Sequence, residues 1–152
     1  MNNNNNELSQ GVAWVVVANA SRAQIFSRQK RYAPLELVQQ LDEPDARVKE
    51  QDLASDAPGR AFDSGGQGRH AMEPDHSIHD HLLTTFAHRI SGTENAAHQA
   101  REFTQLVIVA SPSMLGELRG QLADPVRRCV RGEFAKDLTL QGPDRIAALI
   151  DE

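Results

Sequence analysis

Apolar residues fall into short blocks whose spacing changes along the chain. Residues 12–17, VAWVVV, form an unbroken apolar and largely β-branched run, the pattern of a strand buried on both faces. Asn19-Ala20-Ser21 interrupts it, and residues 23–27 supply a second strand. Residues 35–41 alternate partly with period two and predict a third, the three joined as a meander. Further on the period lengthens: Ile78, Leu82, Phe86 and Ile90 recur every four residues, broadened by Leu83 and Ala87, and predict a helix starting at Pro74-Asp75. Residues 94–102 continue that helix or restart it after Gly92. The block FTQLVIVA at 103–110 returns to strand character. Ser111-Pro112-Ser113 then opens a helix carrying Met114, Leu115, Leu118 and Leu122, with Ser111 or Ser113 as its N-cap. Residues 126–134 read as a short helix entering a strand around 129–133, and residues 143–149 as a last helix with Ile146, Leu149 and Ile150 turned inward. This order predicts an α/β domain, a mixed β-sheet flanked by helices.

Composition narrows the class. A chain of 152 residues with 39% apolar content supports one domain with a real core, here residues 12–152 after a solvated tail at 1–11. The single cysteine, Cys129, forms no intrachain disulfide and fits a reducing compartment. No run of 18 apolar residues exists, so no membrane contact is expected. The opening MNNNNNELSQG lacks the basic-then-apolar order of a signal peptide. A cytoplasmic location is the expectation.

The net charge of −5 argues against broad adhesion to nucleic acid but leaves local contacts open. Arg22, Arg28, Lys30 and Arg31 stand in a stretch without carboxylates, and Arg119, Arg127, Arg128, Arg131 and Lys136 form a second basic segment. Residues 42–63 are acidic by contrast. The two basic segments either converge on one face or balance a sheet edge.

Between strands and helix lies DAPGRAFDSGGQGR, residues 56–69, part of a glycine-rich loop at about 56–72. Its glycines and Pro58 disfavour regular structure. The Gly65-Gly66-Gln67-Gly68 core can offer backbone N–H groups and a neutral amide to an oxygen-rich ligand; a plain connection is the competing reading. Just beyond it, His76, His79 and Asp80 have helical spacing that suits a divalent metal or acid–base work, against a solvated helix face that merely responds to pH. Asp52, Asp56 and Asp63 with Arg60 allow a magnesium-dependent nuclease reading, against an ion pair that pins the loop. No cofactor is implied.

Several blocks carry a family resemblance: WVVVANASRAQIF at 14–26, DLASDAPGRAFDS at 52–64, RHAMEPD at 69–75, VIVASPSMLGELR at 107–119 and EFAKDLT at 133–139. In order and content they resemble the bacterial proteins described as required for attachment to host cells. That family is similar to the middle domain of archaeal and eukaryotic peptide-release factors, which implies a ribonuclease-H-like fold. It further implies that Gly65, Gly66 and Gln67 match the catalytic Gly-Gly-Gln loop of those factors, although Asp63 and Ser64 replace a close basic lead-in. Arg60 and Arg69 beside the tripeptide, with Arg119, Arg127 and Arg128, then become candidate RNA-binding residues, and the ribosome or tRNA the candidate partner. Over 152 residues, separate codon-reading and recruiting domains are not expected beside this one. The expected function is a non-enzymatic interaction or regulatory module contacting ribosome or RNA. The alternative is peptidyl-tRNA ester hydrolysis or ribosome rescue through the tripeptide, with main-chain N–H groups stabilising developing oxygen charge.

Overall fold

In a computed structural model, residues 11–46 and 66–152 are described, with the backbone alone for residues 66–77. The strands are β1 (Ala13–Ala18), β2 (Arg22–Arg28) and β3 (Glu36–Asp42), followed by helix α1 (Gly66–Gln99) and strand β4 (Gln105–Ala110). Helices α2 (Pro112–Gln121) and α3 (Asp124–Arg127), strand β5 (Val130–Ala135) and helix α4 (Pro143–Ile150) complete the chain. The sheet runs β3-β2-β1-β4-β5, with β1–β2 and β2–β3 antiparallel and β1–β4 and β4–β5 parallel. This is the expected α/β class with a mixed sheet. The meander and the crossovers through helices account for its two kinds of pairing.

Strand β1 is central, and its burial follows from its composition: residues 14–18 are all buried, alternate side chains entering opposite cores. Trp14, Val16 and Ala18 face the core under α1, α2 and α3, with Ile25, Phe86, Ile90, Ile108, Met114 and Leu118. Trp14 packs on Phe103 with ring centroids 5.1 Å apart, so it serves the core. Val15 and Val17 face the other way, onto Phe26, Leu35, Val109 and Ile146 of α4.

Two expectations shift. Helix α1 begins at Gly66, so the stretch 66–72 expected as loop is helical and the start lies ahead of Pro74. Glycine and proline are poor helix formers, and α1 runs through both; Pro74 has no N–H for the His70 carbonyl. Strand β4 begins at Gln105 and not Phe103: the Thr104 and Gln105 amides both donate to the Val12 carbonyl, at 2.9 and 3.3 Å. Ser111 is the N-cap residue of α2, with Pro112 in the first turn, as Pro's fixed φ favours. Its hydroxyl makes no capping bond, and its amide instead donates to the Ala18 carbonyl at 3.1 Å.

Candidate functional site

The parallel strands end and begin at opposite edges of the sheet, and the two edges differ in chemistry. Where β1 ends, the Asn19 Oδ1 accepts the backbone amides of Ser21 and Arg22, both at 2.9 Å, which shapes the turn into β2. The Asn19 Nδ2 donates to Asp137 Oδ2 at 3.0 Å and Thr139 Oγ1 at 3.1 Å, stitching that turn to the segment after β5. Asp137 Oδ1 in turn accepts the Thr139 amide at 3.0 Å and its hydroxyl at 2.7 Å. Partial burial pushes the Asp137 carboxyl up, but the hydrogen bonds from Asn19 and Thr139 together outweigh it and hold the group below the ordinary carboxylate value. A cleft of about 440 Å³ opens beside this knot, lined by Asn19, Arg22, Asp137 and Leu140 among others. Crevices at strand ends are common ligand sites in α/β sheets, yet the central polar groups here already satisfy one another.

At the opposite edge the sheet brings part of each basic segment together, while Arg22 and Lys136 lie at the first edge. Ala13 of β1 pairs with both Arg28 of β2 and Gln105 of β4, and Leu106 pairs with Val130 of β5. The end of β2 and the start of β5 are thus three strand spacings apart, about 14 Å. Lys30 follows the end of β2 and Arg127 and Arg128 precede the start of β5, while Arg28 and Arg31 stand on one side and Arg131 on the other. A cleft of about 540 Å³ lies between them on the α4 face, floored by Ala13, Val15, Val107 and Phe134. It exists because α4 is short: eight residues span about 12 Å against strands of about 20 Å.

The cleft's arginines are held. Arg28 is buried, and its Nη1 and Nη2 donate to both oxygens of Asp151 at 3.0 and 2.8 Å, clamping the end of α4 to β2. Arg31 lies over the Tyr32 ring, 4.9 Å from its centroid. Tyr32 has φ of 69°, a left-handed conformation that costs a bulky residue about 1–3 kcal/mol. Arg131 sits where the β4–β5 register shifts between Leu106 and Val107, a bulge that re-aims its side chain into the cleft. Its Nη1 donates to the Arg128 carbonyl at 3.1 Å. Among the described residues no carboxylate pairs with Arg31 or Arg131.

The residues singled out in the sequence are dispersed. Gly66 and Gln67 form the start of α1, and Arg69 and His76 lie further along it; Gly65, Arg60, Asp52, Asp56 and Asp63 fall outside the described residues. Arg119 on α2 is paired with Glu133 of β5, its Nε at 2.8 Å and Nη2 at 2.7 Å from Oε1. Arg127 donates to the Leu122 carbonyl at 3.1 Å, and Arg128 is exposed beside it. Helix α1 keeps His76, His79 and Asp80 at the spacing of successive turns. His79 Nδ1 is buried without a partner and Asp80 is exposed. No group of three or more His, Cys, Asp or Glu able to hold a metal occurs among the described residues.

Sequence reasoning missed Glu94. It lies in the buried stripe of α1, 1% exposed, with neither carboxylate oxygen bonded, and the nearby Ser91 hydroxyl is also unpartnered. Burial pushes its pKa from the ordinary 4.5 up to about 8. Its position four residues after Ile90 was the available signal. It also missed Gly132 and Phe134, whose role depends on the bulge.

Comparison with known proteins agrees with the sequence blocks. The crystal structure of an archaeal translation termination factor, aRF1, is similar at a TM-score of 0.44 and 10% identity, covering 99% of this chain. The chain spans 40% of that factor's length. None of the curated proteins matches the chain. No helix among the described residues is long and apolar enough to cross a membrane. A family model, the protein required for attachment to host cells, matches residues 14–150, and the chain belongs to that family.

Proposed function

We propose that this domain is a non-catalytic interaction module whose basic sheet edge binds RNA, with the ribosome as the natural setting and the cytoplasm as its place. One observation carries the reading: the strand order gathers arginines from two distant segments at a single edge, while the net charge of the whole chain is −5. Such local concentration against an acidic background suits a bounded contact with phosphates over indiscriminate adhesion. Arg127, the last residue of α3, and Arg128, its C-cap, are both exposed just ahead of β5. Arg119 contributes less, because Glu133 already neutralises it. On this reading attachment to host cells follows indirectly from altered translation or gene expression.

The test is fluorescence anisotropy with a short single-stranded RNA, alongside ribosome co-sedimentation. Arg127→Glu with Arg128→Glu is expected to weaken binding at least about tenfold and to lower the salt slope by about 1.4, the loss of two phosphate contacts. Unchanged binding in that variant overturns the reading. A second reading rests on the start of α1, where Gly66 and Gln67 stand at a helix N-terminus whose free N–H groups suit an oxygen anion. Release of peptide from stalled ribosomes that is lost in Gln67→Ala would replace the binding module with an ester hydrolase.

A further inference from the structure

We propose that the cleft of about 540 Å³ at the start of β1, β4 and β5 binds a small organic anion, a phosphate or carboxylate joined to an apolar body. This goes beyond RNA contact: it assigns a small ligand to Arg31 and Arg131 inside the cleft, whereas the RNA reading is tested at Arg127 and Arg128, which do not line it. The volume is that of a small-molecule site, and the lining divides as such sites do, apolar floor and few placed polar groups. Val15, Val107, Phe134 and Ile150 supply the floor and Arg31 and Arg131 the positive rim.

Three local features shape the cleft and keep it charged. Gly132 stands on the floor, where an added Cβ would meet the Phe134 ring at 3.3 Å and a Val107 methyl at 4.0 Å. Its lack of a side chain lets the Phe134 ring lie close against the strand as part of the floor. Arg131 is swung into the cleft by the bulge and braced on the Arg128 carbonyl at 3.1 Å. Arg31 is braced on Tyr32, whose left-handed backbone closes a turn in which the Ala33 amide donates to the Lys30 carbonyl at 3.1 Å. Arg28 is on the wall but already neutralised by Asp151, so the wall is rigid while the rim keeps its charge. Two preorganised cations over an apolar floor select an amphipathic anion. Inorganic phosphate would leave the floor wet, and a neutral hydrocarbon would leave the guanidiniums without a counter-charge.

The probe is 1-anilinonaphthalene-8-sulfonate, an aromatic sulfonate whose fluorescence rises in apolar surroundings, titrated into the full chain. Saturable binding is expected, weakened at least about tenfold in Arg31→Glu with Arg131→Glu, both exposed residues whose charge does not hold the fold. Gly132→Val is expected to abolish it by pushing the Phe134 ring off the floor, with folding checked by circular dichroism. Competition separates the sources: displacement by adenosine monophosphate indicates an aromatic phosphate, and displacement by decanoate an aliphatic carboxylate. Arg127→Glu with Arg128→Glu should leave dye binding as in wild type, so failure of the RNA reading and failure of this one are distinct results. Unsaturable fluorescence, an affinity unchanged in the Arg31/Arg131 variant, or displacement by neither competitor overturns the assignment.

Discussion

Under α1, α2 and α3 the sheet carries a continuous apolar core built from Trp14, Val16, Ile25, Phe86, Ile90, Ile108, Met114 and Leu118, closed to solvent. Under α4 the opposite face buries a smaller set around Val15, Val17, Val109 and Ile146, and its margin at the start of the strands stays open. Ionic groups are distributed against intuition. The closed face hides a carboxyl, Glu94, with no partner, whereas the open face holds a fully paired Arg28–Asp151 bridge. Helix coverage therefore decides more than burial. A long helix roofs over whatever its stripe contains, while a short one leaves room for charge to be paired or presented.

The sharpest way to break this contrast is truncation on each side. Phe86→Ala on the closed face is expected to cost about 3–5 kcal/mol in urea denaturation, because packed neighbours leave a cavity. Ile146→Ala under α4 should cost about 2 kcal/mol, the low end for such a change, since a short helix settles onto the sheet more freely. Equal losses would refute the difference between the faces. Next in size is Glu94→Met, expected to stabilise by about 1–3 kcal/mol at neutral pH by removing an unpartnered buried carboxyl. The sign of its pH dependence follows from the raised pKa. The unfolded carboxyl ionises near 4.5 and the folded one near 8, so the folded state keeps a proton that the unfolded state has lost between them. Stability is full below the lower value and falls as pH climbs to the higher one; the methionine variant should show no such decline. A parallel decline in both proteins would mean that another group is responsible. The smallest effect belongs to Arg119→Ala. Its bridge to Glu133 lies at the surface, and about 0.2–1 kcal/mol is expected, shrinking with added salt. A larger, salt-insensitive loss would show that this pair supports packing.

Much of the fold was legible because its central strand is extreme. The run VAWVVV admits little but a doubly buried strand, and the four-residue recurrence from Ile78 to Ile90 admits little but a helix. What escaped has definite physical causes. The start of α1 was hidden by Gly66, Gly68 and Pro74, residues that argue locally against the helix that contains them. Both basic segments were visible as segments, but their meeting depends on strand order, which neighbouring residues do not encode. Arg131 and Gly132 gained their places from a one-residue register shift against β4. Glu94 continues the four-residue recurrence after Ile90, but a carboxyl at that place reads as solvated, and the packing of α1 shows it buried. The tripeptide at 65–67 was the most conspicuous motif; Gly66 and Gln67 take their place in the opening turn of α1.

The position of β1 has a consequence for exchange with solvent. From Ala13 to Ala18 it is laddered on one side to β2 and on the other to β4, with a core above and a core below. Freeing its amides means parting the sheet along its middle, so their hydrogens trade for deuterium through whole-molecule unfolding. Those of the rim strands β3 and β5 escape through fraying. The innermost strand is thus the gauge of global stability, and the outer strands report local breathing.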